Sequence, residues 1–318
     1  MENLEKLEKI ILENESFLLI GHEKPDGDSV GSLLAFNMAL TQLGKKVTML
    51  LKDPVPTVYL FLEGNAEIVN SFPAKCPSIV ILLDNGDLRR TGYFTELSKA
   101  RKAGTKIINI DHHIRNDIWK IAEVNFVDES ASSTCEILIG IIEALEVEIS
   151  SSMATALLTG IHNDTGGFKH SNTSQKVLDV ASKLLKRGAR LKRISDNIAS
   201  SHSVPMLKLW GMALNRLKVT SGGISYSILT MQDILSAEAS EEDVAGLVNL
   251  LNTVPESKMG MLLYETFDGK IRGSLRTESD KLDISILAHY LGGGGHKKAA
   301  GFTIEGKFEK INNCWTIV

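Results

Sequence analysis

The chain reads as an α/β protein: a mainly parallel sheet with helices on both faces, followed by a smaller α/β domain, with an active-site cleft expected between them. Three observations predict this. Short apolar runs at 17–20, 47–51, 79–83 and 107–110 alternate with helical patterns, which is the rhythm of a parallel sheet with covered faces. From Val219 onward that rhythm gives way to alternating strands and a hairpin signal. The length of 318 residues favours two domains over one.

The elements follow in order. MENLEKLEKIILEN spaces its leucines and isoleucines helically among acids and lysines, so it reads as an amphipathic surface helix and not as a signal peptide. The strand at 17–20 runs into HEKPDGDSVGS, a tight polar turn, and Ser29 is placed to cap the helix that continues to Gly44. The strand at 79–83 ends at Asp84, and a helix over 93–103 stops at Gly104. The strand at 107–110 ends at Asp111-His112-His113. Ser132-Ser133-Thr134 reads as a helix cap that Glu136 completes, not as a nucleophile. A helix over 153–160 runs into IHNDTGGF, and another over 174–187 stops at Gly188. A polar helical stretch to about residue 217 reads as a connector. Beyond it lie a strand at 224–229, a hairpin of 261–266 and 271–275 around Asp268-Gly269, and a helix over 282–291 that ends in GGGGH. The division expected is therefore 1–190, a helical linker over 191–218, and 219–318.

Composition limits the function. The net charge of −4 gives no broad basic face, so any nucleic acid must be bound locally. Cys76, Cys135 and Cys314 are scattered and suit reduced thiols better than a disulfide frame. No apolar run reaches the ~18 residues of a membrane span. A cytoplasmic protein that meets no membrane is expected.

The chemistry gathers at strand ends. His22, Asp26 and Asp28 follow the first strand, Asp84 another, and Asp111-His112-His113 another, while Asp164 lies among glycines after a helix. In open α/β sheets ligands bind at the carboxyl ends of strands. Any one of these aspartates alone would be an ordinary turn residue. Together, His22, Asp26, Asp28, Asp84, His112 and Asp164 make a set of hard oxygen ligands and imidazoles without a thiolate, which suits Mn²⁺ or Mg²⁺ over structural zinc. Two divalent cations would balance the crowded carboxylates, and a bridging aspartate can hold two ions about 3.5–4 Å apart. His162, His170 and His202 lack such a context and read as surface or packing residues. In the second domain, GGGGHKKAAG suggests backbone N–H groups that cradle an anion, with His296, Lys297 and Lys298 adding donors, Lys297 the weakest of them. Arg276 is placed to clamp a phosphate bidentately.

These motifs resemble a known family. His22-x-x-x-Asp26-Gly27-Asp28, Leu83-Asp84, Asp111-His112-His113 and Asn163-Asp164-Thr165-Gly166 resemble the four motifs of the DHH phosphoesterases, and GGGGHKKAAG resembles the signature of the attached DHHA1 domain. Five motifs in the family's order span nearly the whole chain. The resemblance implies two Mn²⁺ ions per site, with Mg²⁺ as the alternative. His22, Asp26 and Asp84 would hold one ion, and Asp28, Asp84, His112 and Asp164 the other. His113 would face the substrate phosphate, and Asp111 would orient a ligand histidine. Arg276, Gly294, Gly295, His296 and Lys298 would bind the nucleotide. The activity implied is two-metal activation of water against short single-stranded RNA oligonucleotides and 3′-phosphoadenosine 5′-phosphate (pAp), in a possible homodimer. A linear or cyclic dinucleotide phosphodiesterase (pApA, c-di-AMP) is the alternative within the family. A non-catalytic nucleotide-binding module is the alternative outside catalysis, but its mark would be a lost metal ligand, and none is missing. One departure is visible: Asn85-Gly86-Asp87 follows Asp84 where the family commonly carries a small hydroxyl residue.

Overall fold

The computed structural model describes residues 2–63, 67–114, 116–199, 203–312 and 314–318. The chain forms two compact units, residues 1–201 and 202–318.

In the first unit the apolar runs become strands β1 (Ser16–Ile20), β2 (Lys46–Leu50), β3 (Ile68–Val69), β4 (Ile79–Leu83), β5 (Lys106–Asp111) and β6 (Val124–Val127). They form one sheet in the order β3-β2-β1-β4-β5-β6, with every pair parallel. The short β3 and β6 at the edges have too few residues to show a period, which is why sequence patterning misses them. The helices are α1 (Glu2–Glu13), α2 (Gly27–Gln42), α3 (Leu60–Glu63), α4 (Phe94–Lys102), α5 (Thr134–Ala144), α6 (Ser151–Asp164), α7 (Gln175–Lys186) and α8 (Leu191–Ala199). Alternate strand residues feed two cores. Phe17, Leu19, Ile81 and Ile108 join α1, α2, α5 and α6 on one face, and Leu18, Ile20, Val80 and Leu82 join α4 on the other. That accounts for the near-continuous apolar strands, since both faces of a parallel sheet are buried.

Helix α2 starts differently from expectation. Its N-cap is Asp26, which accepts from Asp28 N and Ser29 N, while Ser29 Oγ accepts from His22 N at 3.1 Å. Asp and Ser cap about equally well, so spacing alone does not choose between them.

The stretch read as a linker is divided between the units. Ile194 of α8 is buried in the first core, and α9 (Val204–Asn215) buries Leu209 and Ala213 in the core of the second. The second unit adds strands β7 (Lys218–Val219), β8 (Ile224–Leu229), β9 (Met259–Glu265), β10 (Lys270–Arg276), β11 (Gly294–His296), β12 (Ala299–Glu305), β13 (Phe308–Ile311) and β14 (Cys314–Ile317). Its helices are α10 (Met231–Ser236), α11 (Leu247–Leu251) and α12 (Ile284–Tyr290). The sheet order is β11-β12-β10-β9-β8-β7, antiparallel except for β8 with β9, whose crossover carries α10 and α11. The Asp268-Gly269 hairpin forms as read, with Gly269 at φ +79°. β13 and β14 pair as a separate hairpin. Among the described residues no helix is long and apolar enough to cross a membrane. His202 and the side chain of Cys314 lie outside the described residues.

Candidate metal centre

β1, β4 and β5 are neighbours and parallel, so their carboxyl ends share one edge of the sheet. His22 lies two residues past β1, Asp84 directly past β4, and Asp111 closes β5. Two helix termini complete the edge. Asp26 and Asp28 start α2, and Asp164 is the last residue of α6. Those helices pack closely because Gly160 has no side chain: a Cβ there would lie 2.4 Å from both Asp28 Oδ1 and Cys135 Sγ.

The six expected ligands come together as two sets. His22, Asp26 and Asp84 form one, and Asp28, His112 and Asp164 the other, with the donor atoms of each set within 4.8 Å of one another. Asp84 joins the sets. Its Oδ2 is 3.5 Å from His22 Nε2, and its Oδ1 is 3.5 Å from His112 Nε2. His112 Nε2 is also 3.3 Å from Asp164 Oδ2. Asp84 holds a left-handed backbone at φ +60°, a strain of the kind that accumulates at functional sites and persists only where the surroundings enforce it.

The surroundings enforce more than sequence reasoning found. Both oxygens of Asp28 are engaged by the start of α5, with Thr134 N donating to Oδ2 at 2.6 Å and Cys135 N to Oδ1 at 2.9 Å. A helix N-terminus favours such a carboxylate. Thr134 Oγ1 donates to Asp84 Oδ1 at 3.3 Å. The cap itself is as read: Ser133 Oγ accepts from Glu136 N, and Glu136 Oε2 accepts from Ser132 N and Oγ. The start of a capped helix was the available signal; its target was not. Tyr59 gave no signal, yet its hydroxyl donates to Asn163 Oδ1 at 2.8 Å, and Asn163 Nδ2 donates to Asp164 Oδ1 at 3.1 Å. His22 Nδ1 donates to the Glu23 carbonyl at 2.7 Å, which leaves Nε2 toward Asp26 and Asp84. His170, read as lacking context, donates through Nδ1 to the Asp164 carbonyl at 3.1 Å. His162 packs edge-on against Phe168.

Asp111 is fully buried and serves a different histidine from the one expected. Its Oδ1 is 2.7 Å from His113 Nδ1 and accepts from the backbone N–H of His112 and His113, while Oδ2 accepts from Gly86 N. Asn85, the departure after Asp84, donates to the carbonyls of Ile20 and Leu83 and so ties β1 to the β4 turn; its Oδ1 is buried without a partner.

Electrostatics show what the cluster demands. Burial would keep the rings of His22 and His112 neutral, but the facing carboxylates outweigh it and raise both to about 10. Burial, followed by the charge of Asp84, pushes Asp28 up to about 7, and burial with Asp28 and Asp84 raises Asp164 well above the carboxylate range. Asp84 goes the other way, held low against its burial by His112 and His22. Four crowded carboxylates, of which Asp28 and Asp84 are buried, thus draw protons onto their neighbours. Divalent cations satisfy the same need with the donor set present, all oxygen and imidazole, so the residues fit a pair of such ions.

In the second unit Arg276, Gly294, Gly295 and His296 line one groove of about 910 Å³. Arg276 is half-buried, donates to its own neighbour's carbonyl at Leu275, and makes no ion pair among the described residues. Lys298 does not join them; it pairs with Asp280 at 2.8 Å, and Lys297 donates to the Asp280 carbonyl. The glycine run follows the end of α12 and becomes the edge strand β11, paired Gly295↔Ala300. A Cβ on Gly295 would lie 2.5 Å from Ala300 Cα, so close strand pairing requires glycine there.

Two sets of candidate ligands with Asp84 between them, on the carboxyl edge of a parallel sheet, have the donors and the placement of a phosphoesterase site. The DHH family, N-terminal domain, matches residues 16–161, and the DHHA1 domain matches residues 223–314. The chain belongs to the DHH family, in the branch that carries DHHA1. It is 31% identical over 290 residues to the bifunctional oligoribonuclease and PAP phosphatase NrnA of Thermus thermophilus, covering 90% of this chain and 83% of that protein. Among solved structures, an exopolyphosphatase-related protein from Bacteroides fragilis shares the fold at a TM-score of 0.83 and 23% identity, over 95% of this chain and 90% of that one. The Mn²⁺ complex of RecJ from Thermus thermophilus shares it at a TM-score of 0.53 and 14% identity, over 96% of this chain and 52% of that one.

Proposed function

We propose that this protein hydrolyses short single-stranded RNA oligonucleotides and pAp, using two Mn²⁺ ions held in the first unit. The observation that carries this reading is Asp84, whose two oxygens face His22 on one side and His112 on the other. His22, Asp26 and Asp84 would hold one ion, and Asp28, Asp84, His112 and Asp164 the second. Such ions lower the pKa of water and neutralise charge that develops on phosphoryl oxygens. The chain's own residues supply the rest. Asp28 is kept in place by the α5 amides, and Asp111 fixes the ring of His113, whose Nε2 is left to meet the reacting phosphate. In the second unit, Arg276 with the β11 strand and His296 would bind the non-reacting phosphate or nucleoside. A groove of this size takes a nucleotide and not a duplex, which supports short substrates and needs no broad basic surface. The substrate class follows the oligoribonuclease and pAp phosphatase among the relatives. A cytoplasmic homodimer completes the reading, on the family resemblance alone.

The test is a time course on 5′-labelled and 3′-labelled two- to five-nucleotide RNAs, with pAp and pApA alongside. The protein is stripped with chelator and then supplied with Mn²⁺ or Mg²⁺. Turnover of RNA dimers and pAp that appears only with added metal is expected. Turnover by stripped protein, or none on either substrate with either ion, would overturn the proposal. A preference for pApA over both would move the assignment to a dinucleotide phosphodiesterase.

A further inference from the structure

Arg90 has no role in the expected site, yet its surroundings single it out. It lies in a short 3₁₀ turn, Arg89–Thr91, that follows the Asp84 loop. Arg89 is exposed, whereas Arg90 is half-buried. The backbone of Arg90 is pinned at both ends: its N–H donates to Asp87 Oδ1 at 3.0 Å, and its carbonyl accepts from Glu23 N at 2.6 Å, next to His22. Its guanidinium turns inward over Gly86. A Cβ built on Gly86 would lie 3.0 Å from Arg90 Nη1 and 3.5 Å from Cγ of His113, so both cationic-capable side chains border the same small volume.

The absence of a partner is informative here. The site holds Asp26, Asp28, Asp84, Asp111 and Asp164, yet among the described residues Arg90 makes no ion pair and no side-chain hydrogen bond. A half-buried charge left unpaired loses hydration without compensation. Asp87 accepts from the backbone N–H of Arg90 and not from its guanidinium, and Asp111, which holds Gly86 N, is already committed to His113 and two further backbone amides. The five donors of Arg90 are therefore free, in a planar fork that matches two oxygens of a tetrahedral anion.

We infer that Arg90 binds the reacting phosphate from the side of His113 and acts as a catalytic residue of the first unit. This rests on the phosphoesterase reading above. With the carboxylates neutralised by cations, a phosphoryl group on the Gly86 side would meet both His113 and Arg90, and a fixed guanidinium stabilises charge that grows there. His113 and Arg90 then act as a pair, both set by the loop that Asp111 anchors.

The experiment uses the full chain loaded with Mn²⁺. Arg90→Gln, Arg90→Lys and Arg90→Ala are compared with wild type, with Arg89→Gln as the exposed control. The readouts are kcat/KM on bis-p-nitrophenyl phosphate, metal content, and the Kd of inorganic phosphate by calorimetry. Arg90→Gln and Arg90→Lys should each lower kcat/KM on the order of 10²-fold and weaken phosphate binding about ten-fold or more, at unchanged metal content. Added methylguanidinium should restore part of the activity of Arg90→Ala, which loss of a purely structural side chain would not allow. Should Arg90→Gln not fold, Arg90→Lys keeps the stem and charge and removes only the fork, so it carries the same test. Wild-type phosphate affinity in Arg90→Lys, or no rescue of Arg90→Ala, overturns the inference. Failure of the wild type to cleave any phosphoester with metal present would instead overturn the reading beneath it.

Discussion

Asp111 Oδ1 lies 2.7 Å from Nδ1 of His113, and the carboxylate that makes this contact is fully buried. The ring is thereby aimed with its other nitrogen outward. His113→Ala should lower kcat on the order of 10²-fold or more at unchanged metal content, because a group acting only in the transition state shows in kcat. Asp111→Asn should lower it less, and the double variant should be no worse than His113→Ala. Such non-additivity marks one functional unit. Additive losses would mean that Asp111 acts elsewhere.

Asp84 presents one oxygen to each ligand set. Asp84→Asn removes the charge the two sets share, so it should lower activity on the order of 10³-fold and reduce bound metal at both positions, with the fold retained. Metal analysis beside circular dichroism decides this. Full metal content with near-normal turnover would remove Asp84 from the bridging position.

Arg276 and His113 should separate binding from chemistry. Arg276→Ala should raise KM for pAp several-fold with a smaller fall in kcat, and should leave bis-p-nitrophenyl phosphate, which has no nucleoside, nearly unaffected. His113→Ala should impair both substrates. Equal damage by Arg276→Ala on the two would place that residue at the reaction centre or in the fold.

The second unit carries an acid-sensitive link of its own. Burial would raise the carboxyl of Asp233, but Arg216 and Thr230 outweigh it and hold it below the ordinary carboxylate value. The contacts are two from Arg216, one of them Nη2 to Oδ1 at 2.8 Å, and two from Thr230, N and Oγ1 to Oδ2 at 2.8 Å and 2.7 Å. A depressed folded value means stability that is present above the unfolded pKa, near 4, and is lost as pH falls below it. Asp233→Asn should therefore melt lower than wild type at pH 7, and the difference should shrink on approach to pH 3. Melting curves across that range check it; a gap that widens in acid would contradict the sign.

The central strands, the hairpin and the six candidate ligands could be read in the sequence because each signal is local. Phe17 to Ile20 is apolar at every position, and His22, Asp26 and Asp28 follow within one turn. The edge strands β3 and β6 escaped because so few residues carry no period. That part of the glycine run pairs as an edge strand was not legible, since glycine serves loops and close strand pairing alike and the neighbour that requires it, Ala300, enters only on pairing.

By itself the sequence determined which side chains are candidates for metal binding and that they stand just past strands or at helix ends. Tertiary structure alone decided what holds them. Asp28 meets the amide of Thr134 across 106 residues, Tyr59 reaches Asn163 across 104, and Gly86 binds Asp111 across 25. Residue type and spacing report on contacts within a turn or a strand. A backbone amide has no residue type to read, and its partner is set only when the sheet order brings β1, β4 and β5 side by side and α2 closes on α6.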